Sequence, residues 1–392
     1  MDDAKHPRLI LHEFLSLDEC KELQFIHKSS STVGYRPNVF STTLSHLIAT
    51  NCPHFIIPFL PIRERLKEKV EEFFGCEYEL FVEFTGLISW TKGASIGWHS
   101  DDNRPYLKQR DFTAVCYLNT YAKDFKGGLF HFQDGEPATL VPKAGDVAIY
   151  TADSSNVHSV DEITEGERLT LTLWFSRDSD HDEDAKLISI LSENLLCSSN
   201  NVPGLKLPML AASNMYWFSP HQAPNQQSGF DICCARIHLL GFDIYSSQEK
   251  SSFSDLMILM EPVKLAKRNE LFEHEFANIL HLLQMVQFYC WKASELVVSH
   301  LESCKVIQLS QSQREKINAL KSFVLRDHQL VEMVFSFVDS KQKCQHSFDW
   351  AKFSAAITAW EDYSHKLHKK LLLSLPYWRT EGIICGIPFE GS

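Results

Sequence analysis

Phe112-Thr113-Ala114-Val115-Cys116-Tyr117-Leu118-Asn119 is a run of apolar and β-branched residues that stops at an asparagine. Four similar runs surround it: Tyr78 to Trp90, Gly128 to Phe132, Asp146 to Tyr150 and Leu169 to Phe175. Runs of this kind read as strands when turn chemistry separates them. Here the punctuation is Lys126-Gly127-Gly128, Gln133-Asp134-Gly135 and Pro142-Lys143-Ala144-Gly145-Asp146, where glycine and proline supply the tight backbone that strands cannot. Many short strands between glycine-bearing turns predict a sandwich or jelly roll.

Upstream of the strands the pattern is helical. Leu15-Ser16-Leu17-Asp18-Glu19-Cys20 looks like a helix start, with Ser16 as N-cap and Glu19 three residues on, the spacing of a capping box. From Pro61 to Phe74 the apolar residues Ile62, Leu66, Val70 and Phe73 or Phe74 recur at helical spacing with charges between them, which predicts a surface helix laid on a core. Downstream, the acidic stretch Ser179-Asp180-His181-Asp182-Glu183-Asp184 ends the strand pattern, and the expected domain boundary lies there. Residues 8–178 then form an α+β unit, and 179–392 a mainly α-helical C-terminal domain, with helical apolar patterns over 271–301, 311–337 and 349–375. The segment from Ser198 to Gln227 reads as loop, and Trp217-Phe218-Ser219-Pro220-His221 within it is a distinctive aromatic stretch.

The 392 residues suit two domains, and 44% hydrophobic with 22% charged residues marks a globular chain. The formal net charge of −12 and the absence of a long basic run give sequence-independent phosphate binding little to work with, so nucleic acid is not an expected partner. The polar start Met1 to Pro7 carries no secretion signal, and the longest apolar stretches, such as Ile279 to Trp291, are broken by His281, Gln284 and Gln287, short of a membrane span. Eleven scattered cysteines without a C-x-x-C pair read as reduced thiols, and a cytoplasmic or nuclear location follows as the expectation.

Within the strand-rich half, His99-Ser100-Asp101 places an imidazole and a carboxylate at i and i+2, on one face if the segment is extended. A second histidine would complete the two-histidine, one-carboxylate face that leaves coordination positions open on Fe(II), although the ligand types alone leave zinc or manganese open. His158, after the Ala144 to Asp153 strand and turn, is the preferred third ligand. Arg168 follows ten residues later and Thr170 two beyond it on the same strand face, a pair suited to a carboxylate because a guanidinium binds it bidentately. Trp98, Phe130 and Trp174 are apolar candidates for the pocket wall. His131 and Asp102 are expected to point away from it.

These motifs in this order resemble the prolyl 4-hydroxylase family of 2-oxoglutarate oxygenases over residues 8–178. The resemblance includes the apolar opening Leu9 to Leu23 with its Leu-Ser-x-x-Glu-Cys helix, the 112–119 strand, Gly127-Gly128-Leu129-Phe130, and the stretch from Pro142 through His158 to Trp174-Phe175. It implies a double-stranded β-helix (jelly roll) in which His99, Asp101 and His158 hold Fe(2+). Arg168 would bind the far carboxylate of 2-oxoglutarate, with Tyr117 reaching the same group and Thr170 adding a donor. Molecular oxygen as co-substrate, ascorbate (vitamin C) as supporting reductant, and a protein or peptide substrate hydroxylated on a prolyl side chain belong to the same implication. One departure stands near the pocket: Trp90, nine residues before His99, occupies a position where that family has a tyrosine, and an indole donates a hydrogen bond but accepts none. An oxygenase of a small molecule and a catalytically silent interaction module are the competing readings.

Overall fold

The computed structural model describes residues 5–196 except 31–32, 50–51 and 77–79, scattered positions between 284 and 296, and residues 350–387. In chain order the elements are β1 (Arg8–Leu11), α1 (Leu17–Ser29), β2 (Val33–Arg36), β3 (Val39–Thr43), α2 (Leu44–Ala49), a 3-10 turn over Pro53–Phe59, α3 (Leu60–Phe74), β4 (Phe81–Thr91), β5 (Ile96–His99), β6 (Phe112–Tyr117), β7 (Phe125–Gly127), β8 (Phe130–Phe132), β9 (Thr139–Leu140), β10 (Val147–Thr151), β11 (His158–Val160), β12 (Ile163–Ser176), α4 (Glu183–Leu196) and α5 (Trp350–Glu381). The strands make two antiparallel sheets. The larger runs β1-β10-β6-β12-β4-β3-β2 with β7 beside β12, and the smaller runs β5-β11-β8-β9. This is the expected jelly roll with N-terminal helices.

Its spine is the fourteen-residue β12, paired with β4 along one edge and β6 along the other. Alternation sorts its residues: Leu169, Leu171, Leu173 and Phe175 are fully buried on one face, while Arg168, Thr170, Thr172 and Trp174 line a cavity on the other. The helices begin and end on local chemistry. Ser16 Oγ accepts from Glu19 N–H at 3.1 Å and Glu19 Oε2 accepts from Ser16 N–H at 2.8 Å, the reciprocal capping box that the sequence predicts. Helix α3 buries Ile62, Leu66 and Val70 and stops at Gly75, whose φ of 59° a glycine adopts without strain. Of the two phenylalanines that follow, Phe73 is half-exposed and Phe74 stacks on Phe112 at 4.4 Å.

The acidic stretch at 179–184 is not a linker. Arg63, buried on α3, donates from Nη2 to Asp184 at 2.6 Å and Glu183 at 3.3 Å and from Nε to Thr85 Oγ1 at 3.1 Å. Asp184 in turn accepts from the Ile384 N–H at 2.9 Å. Helix α4 lies against β4, and residues 367–387 cluster with the strands in one compact unit, so packing continues across the expected division at 178. The end of α5 supplies Leu367, Leu371, Leu375 and Trp378 as a buried helical stripe. In the other unit, Phe288, Trp291 and Tyr363 form an aromatic cluster with centroids 5.5–5.6 Å apart. The helical pattern expected over 349–375 is α5. That over 271–301 is described only in part, while 311–337 and the 198–227 loop lie outside the described residues. No described helix is long and apolar enough to cross a membrane.

Burial pushes the Glu183 carboxyl up to about 7 against the opposing pull of Arg63. Removing the cation while keeping its bulk would leave acidic groups uncompensated. Arg63→Met should therefore cost roughly 3–5 kcal/mol of stability at pH 7, read by urea unfolding; a loss within error of zero would mean the cluster is solvated. His46 gives the pH dependence. It accepts from Thr43 N–H through Nδ1 at 3.4 Å, and burial lowers its pKa from 6.5 to about 3. The folded state thus binds fewer protons than the unfolded one between those values, so stability declines as pH falls from 6.5 toward 3. His46→Gln should flatten that decline in unfolding free energies measured at pH 7 and pH 5.

Candidate metal centre

The pairing of β5 with β11 sets His99 directly opposite His158, and their rings lie 4.3 Å apart. Asp101 completes the group by a different route from the one the i, i+2 spacing suggests: β5 ends at His99, and Asp101 enters from the turn that follows. Its Oδ1 stands 3.9 Å from His99 Nε2 and 3.8 Å from His158 Nε2. One donor atom from each residue lies within 4.8 Å of the others, the one such group among the described residues.

Backbone carbonyls fix the imidazoles. His99 Nδ1 is 2.8 Å from Gly97 O, and His158 Nδ1 is 3.0 Å from Asn156 O. A carbonyl accepts only, so each Nδ1 carries the proton and each lone pair sits on Nε2, facing Asp101. Phe130 stacks on His158 at 4.8 Å with 12° between planes, which holds that ring. Burial favours the neutral form of Asp101, while attraction to His158 and His99 when they carry a second proton, the Thr113 hydroxyl and Arg110 pull the other way, with the net direction below the usual carboxylate value. Two neutral imidazole nitrogens and one carboxylate oxygen on one side of a cavity are a donor set that fits Fe(II) with positions left open.

The cavity, about 510 Å³ including its open mouth, contains the three candidate ligands together with Arg168 and Thr170. Arg168 is 2% exposed, its Nε has no hydrogen-bond partner, and no carboxylate among the described residues pairs with it. Its guanidinium carbon lies 5.3 Å from the Tyr117 ring centre and 5.6 Å from that of Trp90. The Tyr117 hydroxyl is buried beside the Arg168 guanidinium; burial raises its pKa, and the charge of Arg168 and a hydrogen bond to it pull the other way. Thr170 Oγ1 donates to Ile88 O at 3.4 Å. Gly128, with φ of +67°, is needed here: a Cβ would strike the Ile163 side chain and crowd the Arg168 stem at 3.3 Å.

Of the expected wall residues, Phe130 and Trp174 line the cavity, and so does Trp90. Trp98 does not. It is 56% exposed, because alternation along β5 turns it away from the side His99 faces. His131 is bound to Thr139 and Asp161 at 2.9 and 2.8 Å, and Asp102 to Ser100 and Lys108, both away from the centre as expected. Sequence reasoning missed Thr113 and Tyr150. Thr113 Oγ1 donates to Asp101 Oδ2 at 2.7 Å and Tyr150 Oη at 3.3 Å. The one signal for them is a polar tip inside an apolar strand, which reads equally well as ordinary sheet.

Comparison with known proteins agrees with this geometry. Residues 85–176 match the model of the 2OG-Fe(II) oxygenase superfamily. It is 30% identical over 128 residues to 2-oxoglutarate and iron-dependent oxygenase domain-containing protein 3 of Rattus norvegicus, covering 31% of this chain and 41% of that one. It is 26% identical over 220 residues to prolyl 3-hydroxylase 1 of Gallus gallus, covering 45% and 30%. A solved prolyl-4-hydroxylase from Pseudomonas putida aligns at 18% identity and a TM-score of 0.37 over 45% of this chain and 96% of that one. The chain therefore spans well under half the length of these two curated relatives.

Because Asp101 supplies the only carboxylate of the three, Asp101→Asn should weaken Co(II), a stand-in for Fe(II), by more than the roughly 10–100-fold typical of losing an outer-shell partner. Titration followed by visible absorption measures this, and unchanged affinity would remove Asp101 from the ligand set.

Proposed function

We propose that this domain, with its core in residues 8–178, is an Fe(II)- and 2-oxoglutarate-dependent dioxygenase that hydroxylates a C–H bond of a protein, a prolyl side chain being the favoured target. Substrate, oxygen and 2-oxoglutarate would give hydroxylated product, succinate and carbon dioxide. The observation that carries the reading is the buried Arg168 guanidinium, which has no carboxylate partner among the described residues and lines the same cavity as His99, Asp101 and His158. A buried cation of this kind calls for an anion, and a dicarboxylate bridging it to the metal site supplies one.

Nε2 of His99, Nε2 of His158 and Oδ1 of Asp101 would hold ferrous iron, which would supply oxygen activation coupled to oxidative decarboxylation, with ascorbate as the reductant. The chain supplies the rest. Arg168 receives the far carboxylate of 2-oxoglutarate through paired N–H donors, the Tyr117 hydroxyl adds a donor to that group, and the Thr170 hydroxyl offers another by turning from its 3.4 Å contact with Ile88 O. The Nδ1–H groups keep donating to the Gly97 and Asn156 carbonyls, which leaves each Nε2 lone pair for the metal. Ile88, Trp90, Ile96, Val115, Phe130 and Val160 keep water from the reacting centre.

A protein substrate is supported by the likeness to prolyl 3-hydroxylase 1 and by the cavity itself. Beyond Asp101 and Arg168 it presents no carboxylate or Lys/Arg cation, which suits a neutral reacting group. The described cysteines Cys20, Cys52, Cys76, Cys116 and Cys385 are free, which supports a reducing, cytosolic or nuclear setting.

Purified protein given Fe(II), ascorbate and 2-oxoglutarate should release succinate slowly without substrate, and His158→Ala should release none. Absence of turnover in wild type, together with no binding of N-oxalylglycine by calorimetry, would favour a silent interaction module. Arg168→Leu should weaken N-oxalylglycine on the order of 100-fold while leaving Co(II) affinity within about threefold. Equal loss of both would make Arg168 structural.

A further inference from the structure

We infer that Tyr150, acting with Thr113, is a positioning residue that makes Asp101 a one-oxygen ligand. The inference rests on the metal-site reading above and goes beyond it by assigning work to two residues outside the ligand set. Thr113 on β6 and Tyr150 on β10 face each other across the sheet, and both are buried, Tyr150 at 1% exposure. Their hydroxyls converge on the same oxygen, Asp101 Oδ2, at 2.7 and 3.3 Å. The other oxygen, Oδ1, is the one nearest the two imidazole nitrogens. Two donors on Oδ2 fix the rotation of the carboxylate and engage its lone pairs, so Oδ1 alone is presented to a cation.

Tyr150 also couples the ligands to one another. Its oxygen lies 3.5 Å from His158 Nε2, and because His158 Nδ1 donates to Asn156, that Nε2 holds a lone pair. The phenol is therefore the donor in both contacts, and its single proton serves one acceptor at a time. A cation that takes the Nε2 lone pair leaves Asp101 Oδ2 as the remaining acceptor. The Tyr150–Asp101 hydrogen bond then locks as the metal enters. Ring packing is separable from this role, since Phe130, Phe132 and His158 surround the Tyr150 ring at 5.9, 5.4 and 5.1 Å, and phenylalanine fills the same space.

The test is Co(II) titration of the full chain, read by calorimetry and visible absorption. Tyr150→Phe should bind Co(II) roughly tenfold more weakly. The bound ion should show weaker visible bands, as the freed carboxylate turns to offer both oxygens and coordination rises. Thr113→Val should act in the same direction, Thr113→Ser should restore wild-type affinity and spectrum, and the double variant Tyr150→Phe, Thr113→Val should be weaker than either. Wild-type affinity and spectrum in both Tyr150→Phe and Thr113→Val would overturn the positioning role while leaving the metal site intact. No Co(II) binding by wild type would overturn both. If Tyr150→Phe fails to fold, the contrast between Thr113→Val and Thr113→Ser decides the question on the same oxygen.

Discussion

Antiparallel pairing of β5 with β11 brings His99 opposite His158, and the rest of the site is arranged around that register. Residues 59 positions apart in the chain become cross-strand neighbours, and each then has its Nδ1 taken by a carbonyl two residues back. A slip of one residue in either strand would turn its ring to the face opposite the other. The same pairing brings the turn after β5 close enough for Asp101 to meet them both.

The larger sheet supplies the opposite wall. Along β12 every second side chain faces the cavity, from Arg168 at one end to Trp174 at the other, while the alternate leucines and Phe175 are buried on the far face. One strand thus serves core and site at once, and the site inherits the rigidity of the core. Rigidity matters most at Arg168, a buried cation without a carboxylate partner among the described residues, which strands on both sides hold ready for a ligand.

Charge placement separates scaffold from site. The Arg63 cluster has its acids and its cation together, satisfied by Thr85 and by the backbone at Ile384. In the cavity, neither Asp101 nor Arg168 forms an ion pair with a Lys, Arg, Asp or Glu side chain among the described residues, and Arg110 acts on Asp101 without pairing with it. Balanced buried charge fixes α3, α4 and the end of α5 to one another. Unbalanced buried charge is what a cation and a dicarboxylate would complete.

The strands, the α1 capping box, the α3 stripe and the residues His99, Asp101, His158 and Arg168 were legible from the sequence, because side-chain period, cap chemistry and ligand type are local properties. Tertiary structure alone decided the rest. Asp101 reaches the centre from a turn rather than along a strand, Trp98 faces solvent, and the acidic run at 179–184 is partly buried as the counter-charge of an arginine more than a hundred residues earlier. Thr113 and Tyr150 became part of the site only once β6 and β10 were in register. Alternation says which residues share a face, whereas which face meets which depends on pairings between distant segments, and those are set by the packing of the whole domain.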